Sequence, residues 1–507
     1  MLDEKKKFKL LLLVLTVFST IAFIWIFSDT LVNYPHLETY YFLNNCTYQN
    51  GPDFSLKDLV AGFDPCLDGW TDRARFYSWF FWILNAKFRY FVFKHIPYLP
   101  SLSVTWFFTF TVLPYYFYKL LRSFTDIKTL ALSSTFLLFF TQGFLSFSTM
   151  YFHAAKPMTM LFIIVCFYYT HLIYLEVLRG QYNARPYLKL LGALILSLFW
   201  DEMFYAYFLI VPFWYFAIFK NKKSLIRIIS VYGCAFIYFV SITSGLVPFM
   251  TKKYFNYFFN FWDYSFKSNH SLFTLDNVQW GYNWKALLVA HVDAFSGLPG
   301  YFWVSSNPHW EVIITVLTVL MLVPLLFKNH RMLYFKSLVA MFIFYVSVCL
   351  ILTRREGTLL NGAFYWGSTF SVFFVIWLTV LVSMINIKKL APLIAVLYIY
   401  LAYCGYINNV NASIGHITPN LVQEIVVHAK TLPTVGAISY QDIKRVWEER
   451  HDFPAAKKII EGLPLNAYWL FYESFSQAHP EKHKYIYGEI RHYRIDKFQA
   501  YKLYRED

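Results

Sequence analysis

Residues 10–29 read LLLLVLTVFSTIAFIWIFSD, an apolar run of membrane-spanning length that ends in an acid, Asp29. A basic segment, KKKFK at 5–9, precedes the run, and no small-residue cleavage site follows it. About 20 apolar residues cross the ~30 Å hydrocarbon core of a bilayer, and backbone inside that core must be helical. The run is therefore interpreted as an uncleaved signal anchor that forms the first transmembrane helix.

The composition extends this interpretation to most of the chain. Of 507 residues, 58% are hydrophobic and 15% are charged, and similar apolar stretches recur up to residue 407. The net charge of +15 is dispersed among short connectors, which favours a topological signal over a nucleic-acid-binding groove. We predict an all-α polytopic membrane protein with about 11 transmembrane helices, at residues 10–28, 102–119, 129–149, 157–177, 187–200, 203–219, 228–248, 310–327, 333–353, 364–385 and 390–407.

The distribution of basic residues sets the expected orientation. Most Lys and Arg lie in the N-terminal tail and in alternate connectors, whereas the opposite short connectors carry Lys156, Arg354 and Arg355. Cytoplasmic loops are enriched in Lys and Arg, so this pattern predicts a cytoplasmic N-terminus. With an odd number of spans, the C-terminus is then external.

Three segments differ from the spans and their short connectors. The external loop 29–101 is large and rich in aromatic residues, especially at 76–82, and is expected to carry interfacial helices. A second external loop covers 249–309 and is also aromatic. Residues 408–507 mix charges of both signs with helically spaced apolar residues. We therefore predict a transmembrane domain over 1–407 and a small external mixed domain after it.

Cysteine placement agrees with this topology. Cys46 and Cys66 both fall in the first external loop, where an oxidising compartment would allow them to form a disulfide. The other four cysteines fall within apolar spans and are interpreted as small buried residues: Cys166, Cys234, Cys349 and Cys404. No Cys-x-x-Cys or other metal-ligand spacing occurs, so no metal site is predicted, and a divalent-metal requirement is left open.

Three acids need a chemical explanation: Asp29, which follows the first span, and the neighbours Asp201 and Glu202. Lys189 and Lys220 lie on the same predicted side, and the stretch between them is too short for two full crossings. The turn at Asp201 should therefore lie below the external surface. Acids at that depth are costly and usually face a cavity or a partner. The alternative is a turn acid that reaches interfacial water.

Four basic residues lie in predicted external connectors, where positively charged residues are otherwise rare. His153 and Lys156 lie in a turn between two apolar runs, and Arg354 and Arg355 lie at the mouth of another span. Guanidinium groups match phosphate oxygens, so these bases are candidates for binding an anion. Attraction to lipid headgroups is the alternative, and for His153 a simple hydrogen bond to backbone is favoured.

A polar cluster in the first loop precedes its aromatic segment and consists of Asp72, Arg73 and Arg75. The cluster is interpreted either as an ion-pair network that fixes the loop or as the lining of a polar cavity. Exposed ion pairs contribute little stability, so the cluster is hard to explain on an open surface.

Together these features resemble the GT-C superfamily of integral-membrane glycosyltransferases. The shared features are a cytoplasmic N-terminus, an acid directly after the first span (Phe27-Ser28-Asp29), a large first external loop, the recessed Asp201-Glu202 pair and an external C-terminal segment. The layout is similar to that of bacterial lipid-linked-sugar transferases and serotype-converting glucosyltransferases.

The resemblance implies an activity and a role for each candidate residue. Members of the superfamily transfer a sugar, with inversion, from a polyprenyl-phosphate-linked donor to an acceptor on the external face, here a cell-envelope glycan or lipid. Asp29 would act as general base, and Asp201 or Glu202 would orient the acceptor. The departing lipid phosphate would be bound by Arg354, Arg355, Lys156 and His153. The expected location is a bacterial cytoplasmic membrane, with the endoplasmic reticulum left open.

Two other functions are left open, both with lipid-linked saccharides and membrane lipids as partners and without nucleic acid. One is a transporter or flippase, although such proteins usually have polar or broken helices near the bilayer midplane. The predicted intramembrane polarity here gathers near the external turns instead. The other is an O-antigen polymerase or ligase, which typically concentrates its function in one large late loop, whereas here 29–101 is longer than 249–309.

Overall fold

The structure is a computed structural model that describes residues 108–139, 155–201, 221–255 and 390–414 continuously. Side chains are described for 108–138, 158–201, 221–249, 252–253 and 390–403 within those ranges. The structure also describes strands at 493–495 and 503–505 and single positions at 17, 77, 81, 88, 104, 204, 205, 207, 208, 211, 212, 215, 316, 331, 332, 334–336, 339, 343 and 382.

Helices make up most of the described chain, with bounds α1 Leu113–Phe124, α2 Lys128–Phe139, α3 Ala155–Leu178, α4 Ala184–Leu198, α5 Lys222–Ser241, α6 Val247–Phe255 and α7 Ala391–Ile414. Phe108–Val112 is a π-helical segment that precedes α1, and a second one, Ile242–Leu246, joins α5 to α6. Near the C-terminus, strands β1 Tyr493–Ile495 and β2 Leu503–Arg505 form an antiparallel pair.

Within the described ranges, two helical stretches are long and apolar enough to cross a membrane, Met158–Leu178 and Lys222–Phe249. They coincide with the spans predicted at 157–177 and 228–248. Ala391–Tyr403 is also apolar but shorter. The described part of the chain therefore agrees with a helical membrane protein, while the number of spans and the cytoplasmic N-terminus stay predictions.

Local sequence explains where several helices begin and end. The side chains of Asn183 and Asn221 accept hydrogen bonds from the backbone N–H groups of Arg185 and Ser224, at 3.0 and 3.1 Å, and so cap α4 and α5. After α3, Gly180 adopts φ +67°, a left-handed conformation in which glycine has no steric penalty. These capped ends therefore define sharp turns between the helices.

Side-chain contacts show that α3 and α4 run in opposite directions. The ring of Trp200, just after α4, lies 5.1 Å from Phe162 in the first half of α3. Near the start of α4, the Lys189 ammonium lies 5.6 Å from the ring of Tyr169, further along α3. Consecutive helices of a polytopic protein are expected to alternate in this way.

The alternation continues through the helical positions after Asp201. Tyr205 contacts Phe239 of α5 at 5.6 Å between ring centroids, and Phe208 contacts Tyr232 at 5.0 Å. The later residue of this segment therefore meets the earlier residue of α5, so the two run antiparallel. Buried positions follow a helical spacing at Phe204, Tyr207, Phe208, Val211 and Tyr215.

One face of α5 points away from the other described helices. It carries large exposed hydrophobic side chains, namely Ile226, Ile229 and Ile237. The opposite face buries Ile228, Val231, Tyr232, Ala235 and Phe239. A broad exposed apolar face on a helix of spanning length suits contact with lipid. Cys234 lies on this exposed face, so its predicted burial is wrong, whereas that of Cys166 is confirmed.

Candidate active site

The turn that carries Asp201 follows a short helix. α4 has 15 residues, which rise about 22 Å, less than the ~30 Å of a hydrocarbon core. After Leu198 the chain turns through Phe199, Trp200 and Asp201, which we call the recessed turn. The backbone N–H of Phe204 donates to the Asp201 carbonyl at 3.0 Å and opens the next helical segment.

Neighbouring helices extend past the recessed turn. Trp200 packs against Phe162, which lies seven residues into α3 and hence about 10 Å from that helix's start. Phe199 packs against Phe239 at 5.1 Å, and the helical chain continues from there to Phe255. The side chain of Asp201 is 1% exposed. The turn therefore lies below the ends of both neighbouring helices, as the spacing between Lys189 and Lys220 predicts.

Two residues of the segment predicted as the first external loop contact the recessed turn. The backbone N–H of Tyr77 donates to the Phe199 carbonyl at 3.2 Å, and the two rings lie 5.6 Å apart. Phe81, one helical turn later, lies 5.3 Å from Trp200 and 6.1 Å from Phe108. The sequence predicted an aromatic segment at 76–82 and a recessed acid separately. The structure shows that they meet.

Tyr77 also interacts with α5. Its burial, together with its hydrogen bond to Tyr238, raises the pKa of Tyr77 to about 12. The hydroxyl is therefore protonated at neutral pH and contributes a neutral hydrogen-bond donor to this side of the turn.

The chemistry available at the recessed turn is that of a carboxyl group among aromatic rings. The turn carries the rings of Phe199 and Trp200, and rings from three other parts of the chain pack against them, namely Phe81, Phe162 and Phe239. A carboxylate accepts hydrogen bonds from hydroxyl groups, and flat ring faces offer apolar contact surface. An acid at the start of a helical segment also has a structural use, because Asp is a favoured N-cap residue.

Sequence reasoning missed a second polar group inside the helix bundle. Thr170 and Tyr232 share a hydrogen bond at 3.4 Å, and both are buried. The next residue of α3 is His171, whose Nε2 donates to the Ser123 carbonyl at 3.3 Å and whose ring lies 6.0 Å from Tyr215. His171 could have been singled out in the sequence as an ionisable residue within an apolar span.

Several predicted site residues lie outside the described residues, so their positions relative to Asp201 stay predictions: Asp29, Cys46, Cys66, Asp72, Arg73, Arg75, His153, Glu202, Arg354 and Arg355. Lys156 lies in the first turn of α3, and its side chain is likewise not described. Within the described part of the chain, no group of three His, Cys, Asp or Glu side chains could hold a metal ion.

Comparison with protein-family models, curated proteins and solved structures gives no match for this chain.

Proposed function

We propose that this chain is a multi-pass membrane glycosyltransferase. It moves a sugar from a polyprenyl-phosphate-linked donor to a cell-envelope glycan or lipid on the external face of a bacterial cytoplasmic membrane. The observation that carries the proposal is the recessed turn, where a buried acid stands among aromatic rings supplied partly by the segment that is predicted to be the first external loop. Acids at such depth are expensive and are usually functional.

The proposed reaction is a single displacement. An aspartate accepts the proton of an acceptor hydroxyl, the acceptor oxygen attacks the anomeric carbon, and the bond from that carbon to the phosphate oxygen breaks. Polyprenyl phosphate leaves, and the anomeric centre is inverted. Asp29 is the proposed general base, and Asp201 or Glu202 orients the acceptor sugar by accepting its hydroxyl hydrogen bonds.

Charge on the departing phosphate requires cations. Arg354 and Arg355 are the first proposed ligands, and Lys156 and His153 are further ones, because these basic residues lie in predicted external connectors, where Lys and Arg are otherwise rare. Lys156 is attached to α3 about 9 Å along the helix axis from Phe162, which packs against Trp200. That proximity supports a donor phosphate near the recessed turn.

A transporter of lipid-linked saccharides is the second candidate, and one observation favours it. Polar side chains are buried between helices at Thr170, His171 and Tyr232, away from the recessed turn. Buried polar groups within spans are common along transport pathways. The deep position of Asp201 beside an external loop favours the enzyme over the transporter.

The test is sugar transfer by the purified full-length protein in lipid, with a panel of polyprenyl-phosphate sugars as donors. We expect the wild type to form a glycosylated acceptor with at least one donor, and Asp29→Asn to abolish that product. Asp201→Asn should reduce it, with a raised KM for the acceptor. Lipid-linked sugar that crosses proteoliposome membranes without product formation would overturn the enzyme proposal and support the transporter.

A further inference from the structure

A patch of tyrosine and lysine residues lies further along α3 than Phe162, between the recessed turn and the opposite end of the bundle. Tyr115 and Tyr116 of α1 face Tyr168 and Tyr169 of α3, with ring centroids 5.9 Å apart for Tyr116 and Tyr168 and 6.1 Å apart for Tyr116 and Tyr169. The hydroxyls of Tyr116 and Tyr169 share a hydrogen bond at 3.3 Å. Tyr169 is buried, whereas Tyr115, Tyr116 and Tyr168 are partly exposed and form a surface across two helices.

An ammonium group lies at each side of this surface. Lys119 lies 4.5 Å from the ring of Tyr115 and 5.9 Å from that of Tyr168. Lys189 of α4 lies 5.6 Å from the ring of Tyr169. Cation–π contacts of this kind hold lysine side chains against the protein surface. We call Lys119, Lys189 and the four tyrosines the tyrosine–lysine patch.

The patch lies inside the helix ends rather than in a loop. Lys119 precedes the end of α1 at Phe124 by five residues, and Lys189 follows the start of α4 at Ala184 by five residues, which is about 8 Å in each case. Lysine at such a depth reaches the level of lipid phosphates along its alkyl chain.

The surroundings of the patch are strongly basic. The adjoining helix ends carry Arg122, Lys128, Arg179, Arg185, Lys222, Lys223 and Arg227, against Asp126 and Glu176 among the described acids. Arg227 repeats the local arrangement, since it donates to the Tyr187 hydroxyl at 3.3 Å and lies 5.8 Å from the Tyr182 ring. An excess of positive charge next to a membrane attracts anionic headgroups.

An apolar track leads from the patch along α4. Leu188 and Leu196 are 67% and 41% exposed, and Gly192 between them is also exposed, with open space where a side chain would stand. Together with Lys189, these residues share one face of the helix. The surface therefore combines cationic and hydroxyl groups in the patch with the apolar track along α4. This pattern is complementary to a lipid.

We propose that the tyrosine–lysine patch binds the phosphate of an anionic phospholipid, with an acyl chain along Leu188, Gly192 and Leu196. The ammonium groups of Lys119 and Lys189 supply the charge, and the hydroxyls of the partly exposed Tyr115, Tyr116 and Tyr168 donate hydrogen bonds to the phosphate oxygens. A soluble anion has no apolar chain that could contact Leu188, Gly192 and Leu196. The site is separate from the recessed turn and does not depend on the proposed transfer reaction.

The test measures thermal stabilisation of the full-length protein in a neutral detergent, with phosphatidylglycerol, phosphatidylcholine or inorganic phosphate added. We expect phosphatidylglycerol alone to raise Tm in the wild type. The variant Lys119→Gln/Lys189→Gln should need about tenfold more of this lipid for the same shift, because two cations near the headgroup are lost. Tyr116→Phe should weaken the effect at unchanged charge.

The control is Lys222→Gln/Lys223→Gln, which removes the same charge from two exposed residues at the same end of the bundle. It should respond to phosphatidylglycerol as the wild type does. An equal loss in both double variants, with Tyr116→Phe unaffected, would overturn the proposal in favour of diffuse attraction. Stabilisation by inorganic phosphate, or equally by phosphatidylcholine, would also overturn it.

Discussion

The backbone N–H of Tyr77 donates a hydrogen bond to the carbonyl oxygen of Phe199 at 3.2 Å. This bond attaches the predicted first external loop to the residue two positions before Asp201. A loop residue and the end of a short helix therefore belong to one structural unit. A substitution in the loop should therefore alter the surroundings of Asp201. The recessed turn can be tested by substitutions in the loop as well as in the turn itself.

Replacement of Phe81 by alanine should loosen this unit. The Phe81 ring contacts Trp200 and Phe108, and its half-buried position suggests a loss of about 1–3 kcal/mol in the free energy of unfolding, below the cost of a fully buried Phe. Thermal unfolding in detergent would measure the loss. Phe249→Ala is the matched control, because Phe249 is 59% exposed and should tolerate the change. Equal losses would contradict a packing role for Phe81.

Alkaline pH should reveal the environment of Tyr77. Its pKa is raised from 10.0 to about 12, so the unfolded state loses the phenolic proton at a lower pH than the folded state. The stabilisation from this group is complete below pH 10 and is lost as pH rises towards 12. We expect the stability difference between wild type and Tyr77→Phe to shrink over this interval in unfolding experiments. A constant difference would argue against a buried Tyr77 hydroxyl.

The hydrogen bond between Thr170 and Tyr232 should contribute measurably to helix association. Thr170→Val and Tyr232→Phe each remove one partner, and their coupling in a double-mutant cycle should be about 0.6 kcal/mol, typical of polar contacts between membrane helices. Tyr403→Phe on the exposed face of α7 serves as a control for loss of a hydroxyl. A coupling energy near zero would show that the two hydroxyls do not interact.

The sequence predicted helix positions well where hydrophobicity alone determines them. The spans at 157–177 and 228–248 correspond closely to Met158–Leu178 and Lys222–Phe249. The span predicted at 102–119 stops short of the observed end at Phe124, because polar residues lower the hydropathy there while the helix continues. Arg122 then donates to the Thr125 carbonyl at 2.8 Å, where the helix ends.

Contacts between distant residues could not be predicted in the same way. The stretch between Lys189 and Lys220 is too short for two full crossings of the bilayer, and this predicted a recessed acid. The prediction needs only the length of one chain segment and the thickness of the bilayer. Nothing in the sequence pairs Tyr77 with Phe199 or Thr170 with Tyr232, because ring packing and hydrogen bonds between helices depend on how the faces meet. The contact between Thr170 and Tyr232 was missed for this reason, whereas His171 is ionisable and could have been noticed within its apolar span.

The recessed turn admits a structural and a chemical role for Asp201, and one substitution separates them. Asparagine is as good an N-cap as aspartate, so Asp201→Asn should preserve the following helical segment while it removes the charge. Asp126→Asn changes the same group at an exposed position in the turn between α1 and α2. Unfolding temperatures of both variants should stay close to that of the wild type.

The most direct measurement is kcat/KM for sugar transfer by wild type, Asp201→Asn and Asp126→Asn in the same lipid. The proposed function predicts a loss of about 100-fold for Asp201→Asn, in the range for a positioned carboxylate in the reaction, and no loss for Asp126→Asn. Unchanged transfer by a folded Asp201→Asn protein would contradict a chemical role for the recessed turn and leave Asp201 as a helix cap.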